Sequence, residues 1–361
     1  MSVRKIARFI LIFTFPALLT GCSGVSGPST PPPAPAARFA FVANLLSNSV
    51  SAYTVDSQTG QLTLKDTVTT SGMNARVIAV EPSGRFAYVG NIASNDISVF
   101  AIDANTGSLT MVGSPVPAGD GPRFLVIGPT GNLLYVVNQN ANSLSGFSIN
   151  PNTGALTPLS GTVPTDDVPV ALSFHPSGRF AYVVNGLSND LTVYAVDGSG
   201  ALGLLGAVPA RTNPNSVTIH PSGKFAYVAN LGSNDVAVFS IDTATGALTP
   251  LAAPVPAPGG PTSISIDSQG RFAYVTNFIA GNVSVFAIDA ATGALTLAST
   301  APAGANPVAL TLDPSGRFAY VANLSSDNVT QFAVDANTGA LTPVGAPVNA
   351  GTGPVWVALT M

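Results

Sequence analysis

One segment returns seven times along this chain, and nothing else in the sequence restricts the fold as much. Arg85-Phe86-Ala87-Tyr88-Val89-Gly90-Asn91 is typical. Its closing Asn falls at Asn44, Asn91, Asn138, Asn185, Asn230, Asn277 and Asn323, at intervals of 47, 47, 47, 45, 47 and 46 residues. A fixed period of this length belongs to propellers and solenoids, whose units bury their apolar faces on one another. The content of a unit decides between the two. A first run such as Pro307 to Leu312 ends in Asp313-Pro314-Ser315-Gly316, with Asp, Pro and Gly where a type I turn wants them. A second run, Arg317 to Asn323, leads through a polar loop to a third, as in Val236 to Ile241. A turn like Asp242 to Gly246 then opens a weaker fourth run, Ala247 to Leu251. Four short strands per unit, with no helical period, predict propeller blades. The 36 Gly and 30 Pro, in no collagen period, agree with so many turns.

Counting back from the turn Pro, the second and fourth positions of the first strand are large, as in Val80 and Ile78 or Ile219 and Val217. The third is small or weakly polar: Ala79, Ser173, Thr218, Ser265, Thr311 and Ala358. Alternate strand residues face opposite sides, so each blade is expected to offer a bulky face to one neighbour and a small one to the other. The ends of the repeat array settle the closure. Arg38 to Asn44 is a second strand with no first strand before it, and Gly353 to Met361 is a first strand with nothing after it. Joined, they complete one blade. The expected fold is all-β: a seven-bladed propeller of four-stranded antiparallel blades over residues 38–361, its ring closed by the C-terminal strand. Closure removes open edges, and a monomer is expected.

The first residues read as an export signal. Arg4, Lys5 and Arg8 precede an apolar stretch, Phe9 to Leu19, that is too short to span a bilayer as a helix. Leu19-Thr20-Gly21-Cys22 resembles a bacterial lipobox, which makes residues 1–21 a signal peptide and Cys22, the sole cysteine, the lipidated residue. Residues 22–37 are then a Pro/Ser/Gly tether, extended and semi-rigid through its Pro run. The expected location is the cell envelope, held to the membrane by the lipid, and the outer membrane in a Gram-negative host because Ser23 follows the Cys. From Cys22 onward ten Lys/Arg face seventeen Asp/Glu, a net charge of −7. No basic cluster is present for nucleic acid, and none is expected as a partner.

The unit RFAYVxN…VFxID…TGxLT, with a literal Tyr274-Val275-Thr276-Asn277, resembles the YVTN-type repeat of the seven-bladed lactonase family, which includes 6-phosphogluconolactonase. The resemblance covers residues 38–361 and implies a Gly-Pro-Arg-His segment leading into a first strand, with a Glu just after the next YVxN. Here the matching stretches are Gly121-Pro122-Arg123-Phe124 and Tyr135-Val136-Val137-Asn138-Gln139. Arg123 is kept, Phe124 stands at the His position and Gln139 at the Glu position. Phe cannot transfer a proton, and a neutral amide is no general base.

The position six before the turn Pro carries the sharpest constellation: Arg76 and Arg123 in adjacent blades, then Val170, Asn215, Thr262, Val308 and Val355. Two guanidinium groups at the channel mouth suit bidentate grip on a carboxylate or phosphate. Alternatively Asp120, or the Asp166-Asp167 pair, neutralises them internally. The ligand set expected for a small anion or lactone is Arg76, Arg123, Asn138, Gln139 and Asn215. Bland roles are expected for the rest. His175, His220, Glu81, Asp267 and Asp313 share one turn position and read as turn chemistry. The Asp that opens each third-to-fourth turn reads as a cap, because Asn150 replaces it without loss of pattern. The repeated Asn residues read as loop caps, with a polar ring at the mouth as a second possibility. No Walker loop, Rossmann fingerprint, GxSxG, HExxH or EF-hand pattern occurs, so no cofactor and no metal are expected. Two functions follow: a binding or interaction module with a degenerate lactonase site, or a hydrolase of an unphosphorylated lactone.

Overall fold

The computed structural model describes residues 38–251 and 253–360. Cys22, the signal and the tether lie outside these residues. The described chain forms seven antiparallel sheets arranged as a ring. In blade 3, for example, Pro122–Ile127, Leu133–Asn138, Ser143–Ile149 and Leu156–Pro164 run in order from the axis outward. The outer strand of blades 2, 5 and 7 is interrupted, so that two short pieces pair with one third strand.

The second strand is buried along its whole length in every blade. Blades cover it on both faces, which is why RFAYVxN reads as an unbroken apolar run rather than an alternating one. Its tyrosines also latch neighbouring blades together. The hydroxyls of Tyr88, Tyr135, Tyr182, Tyr227 and Tyr320 donate to the carbonyls of Gly154, Gly200, Gly246, Gly293 and Gly60 in the next blade, at 2.6–3.1 Å. Burial pushes these phenols well above their ordinary range, so they remain donors. The accepting glycines have φ near +75°, and at Gly246 an added Cβ would fall 2.5 Å from the Phe180 ring. The TG of each repeat is therefore a contact between blades as well as a turn.

Blade 1 takes three strands from the start of the array and its innermost strand, Pro354–Leu359, from the end. The pairing runs from Ala40↔Leu359 to Asn44↔Pro354. Thr360 Oγ1 also accepts from the amides of Arg38 and Phe39, at 3.3 and 3.2 Å. The closure expected from the incomplete repeats is the one that forms.

Candidate functional site at the channel mouth

The innermost strands do not pair regularly. In blade 3 Pro122 pairs with Asn138 and Phe124 with Val137, which leaves Arg123 as an extra residue. The same slip isolates Arg76, Val170, Asn215, Thr262, Val308 and Val355 in the other six blades. A bulge re-aims its side chain out of the ladder. Seven bulges at one level thus direct one side chain per blade toward the channel mouth. Two residues earlier the chain takes positive φ, at Asn74 before Arg76 and at Gly121 before Arg123, which sets the angle at which each strand begins.

Arg76, Arg123, Asn215 and Thr262 border one cavity of about 30 Å³, floored by Phe124 and Trp356. It has room for a carboxylate-sized group or one or two waters. Arg123 is pinned: Nη1 donates to Gln139 Oε1 at 2.8 Å and Nη2 to Asn215 Oδ1 at 3.0 Å. Asn215 is held in turn, its Nδ2 donating to the Thr262 carbonyl at 2.7 Å, and Thr262 Oγ1 donates to the Val308 carbonyl at 3.0 Å. Arg76 has no such support among the described residues. Burial, together with the repulsion of Arg123, pushes its pKa down to about 9, and burial pushes Arg123 down to about 10. Both remain cations at neutral pH.

No carboxylate among the described residues neutralises the pair. Asp120 accepts from Asn140 Nδ2 at 3.2 Å, Asp167 from Asn142 Nδ2 at 3.1 Å and Asp166 from Thr192 Oγ1 at 3.3 Å. Among the described residues the salt bridges are Arg211–Asp235 and Arg271–Asp267, both away from the mouth. The internal pairing expected as one alternative therefore does not form. Asn215 is not a separate group facing the arginines but part of the Arg123 clamp, a link across 92 residues of chain that spacing could not reveal.

Asn138 is placed apart from this cavity. It is fully buried, and its Nδ2 donates to Ser145 Oγ at 2.8 Å. Five of the other repeated Asn residues do the same within their own hairpins, as Asn91 with Ser98 and Asn323 with Thr330, and Asn230 donates instead to Asp235 Oδ1 at 2.8 Å. These side chains fix the second-to-third-strand turn, and the polar ring does not exist. The histidines are structural as expected. His175 Nδ1 accepts from the Ser177 amide at 3.1 Å, which puts the proton on Nε2 for the Gly223 carbonyl at 2.9 Å, and His220 repeats the arrangement with Gly270. Asp103 and Asn150 cap their turns alike, each accepting two backbone amides. Among the described residues no cluster of three metal-ligating side chains exists.

The family model for the lactonase seven-bladed β-propeller matches residues 7–120, 33–174, 164–262 and 259–359. The chain belongs to this lactonase propeller family. No curated protein matches it. Among solved structures it is similar to the periplasmic gluconolactonase of Pseudomonas aeruginosa, with 21% identity, TM-score 0.78, and coverage of 90% of this chain and 99% of that one. A provisionally assigned 6-phosphogluconolactonase of Bacteroides uniformis aligns with 20% identity and TM-score 0.79, over 89% and 98% of the two chains. A Lactobacillus plantarum protein aligns with 24% identity and TM-score 0.78, over 90% and 100%. At such identities the likeness establishes the fold alone. Within the family frame, the two departures from the implied signature have structural roles. Phe124 packs edge-to-face on Trp356, with centroids 5.3 Å apart, and Gln139 is the acceptor that steadies Arg123. The Trp356 partnership had no sequence signal, because it joins the last strand of the chain to blade 3.

Proposed function

We propose that this lactonase-family propeller is a binding module that captures a small anion, a carboxylate in the first instance, at its channel mouth. One observation carries the reading: two guanidinium groups border a single small cavity that no carboxylate of the described residues enters. Half-buried cations side by side without a counter-charge are costly, and an anion between them relieves both desolvation and mutual repulsion. The pinned Arg123 loses little further freedom on binding, which favours affinity. A general base is missing, since Phe124 and Gln139 occupy the positions where the family resemblance implies His and Glu. The alternative, hydrolysis of an unphosphorylated lactone, draws support from the retained Gly121-Pro122-Arg123 segment. Calorimetry with acetate, gluconate and phosphate, run beside a hydrolysis assay on glucono-δ-lactone, separates the two. Anion binding without lactone turnover is expected. Turnover that disappears in Arg123→Ala would replace the binding reading with the hydrolase. The lipobox at Cys22 further supports an envelope lipoprotein, so Cys22→Ala is expected to leave the membrane fraction without change in the melting of the domain. A variant still sedimenting with membranes would remove that assignment.

A further inference from the structure

Below the arginine pair the channel widens into a cavity of about 880 Å³, within the range of small-molecule sites. The residues earlier assigned to blade stacking make it wide. Ala79, Ser173, Thr218, Ser265, Thr311 and Ala358 line the channel wall. Among the described residues no Asp, Glu, Lys or Arg borders this cavity, and both ring nitrogens of His175 are already bonded. Three of its hydroxyls are turned into the wall. Thr218 donates to the Ile264 carbonyl at 2.6 Å, Ser265 to Leu310 at 2.8 Å and Thr311 to Val357 at 2.7 Å. Each bond ties one inner strand to the next and withdraws a polar group from the lumen, leaving an uncharged wall in which aliphatic side chains such as Ile78, Leu125, Leu172 and Leu310 stand beside the hydroxyls of Ser173 and Ser263.

The mouth and the wide cavity adjoin, sharing Phe124, Ala171, Ser216, Ser263 and Trp356. Phe124 and Trp356 fill one side of the neck. The small side chains of Ala171, Ser216 and Ser263 complete its lining. From the bulges to the turns on the far face, the inner strands span roughly 17 Å.

We propose that the anion held by Arg76 and Arg123 is the head of an amphiphile, a monocarboxylate whose apolar chain passes the neck and lies along the channel. The inference rests on the anion-binding reading of the mouth and adds the nature of the rest of the ligand. A sugar acid would set its hydroxyls against aliphatic side chains over much of the lumen, at the cost of their hydration. An alkyl chain loses nothing there and gains burial over the whole length.

The test is calorimetry on the purified full chain with straight-chain acids from acetate to dodecanoate, each below its micelle concentration. Affinity is expected to rise about two- to fourfold per added methylene, and to level off once the chain fills the channel. Ala79→Phe and Ser173→Phe, which narrow the lumen below the neck, should weaken dodecanoate at least tenfold and leave acetate unchanged. Dodecanol, lacking the carboxylate, should bind at least tenfold more weakly than dodecanoate. A flat affinity series with acetate still bound would overturn the amphiphile and leave the mouth reading intact. Loss of binding for every acid would remove both. Equal dodecanoate affinity in wild type and the two narrowed variants would place the tail outside the channel and also overturn the proposal. If a narrowed variant fails to fold, the chain-length series in wild type still decides.

Discussion

Deletion of Pro354–Met361 is expected to unfold the propeller or lower its melting temperature by more than any single substitution. The deleted strand carries Val355 and Val357, both almost fully buried, and the two together are worth about 3–6 kcal/mol. Losing it also strips the ladder from Phe39–Asn44 and leaves that strand as an open edge beside the channel. A typical domain has only about 5–15 kcal/mol in hand. The loss should spread round the ring, because blades 7 and 2 both pack on the missing strand. Thermal melts of full-length and truncated protein, compared by circular dichroism, measure this directly. A melting temperature within a degree of the full chain would mean that the ring is not held by its terminal strand.

The second large effect is opposite in sign for stability and function. Arg76→Leu is expected to raise stability by about 1–2 kcal/mol, since it replaces a desolvated, unpaired cation repelled by Arg123 with an apolar side chain. The same change should weaken acetate binding by about 1.5–3 kcal/mol, the worth of a charge-assisted hydrogen bond, or roughly ten- to a hundredfold. Arg123→Leu should behave differently. It leaves Gln139 and Asn215 without their donor and is expected to cost about 1–3 kcal/mol of stability while also weakening the anion. The double variant should lose less binding than the two single losses added, because both side chains share one anion. Melts and calorimetry on the three variants test the pattern. An Arg76→Leu protein that is less stable, yet binds acetate as wild type does, would make Arg76 a structural residue and move the anion site elsewhere.

Most of the architecture was legible in the sequence because a repeat states the same local physics seven times. The Asp-Pro-Ser-Gly turns, the buried RFAYVxN strand and the half-blades at the two ends each follow from short-range rules, and repetition removes the ambiguity that any single copy would carry. The order around the ring then places Arg76 beside Arg123 without further information. What the sequence could not determine is where side chains point at the axis. A one-residue slip sends a strand side chain to the other face, and each inner strand contains such a slip. The small residues do meet the neighbouring blade as expected, Thr218, Ser265 and Thr311 bonding to its carbonyls, but they border the channel too, and Asn138, grouped with the ligand residues, turns into its own hairpin. The clamp of Asn215 on Arg123, and the absence of any Asp at the arginine pair, join residues of different blades. Only closing the ring brings them within hydrogen-bonding distance, so the tertiary structure alone decided that the two cations are left without a carboxylate among the described residues.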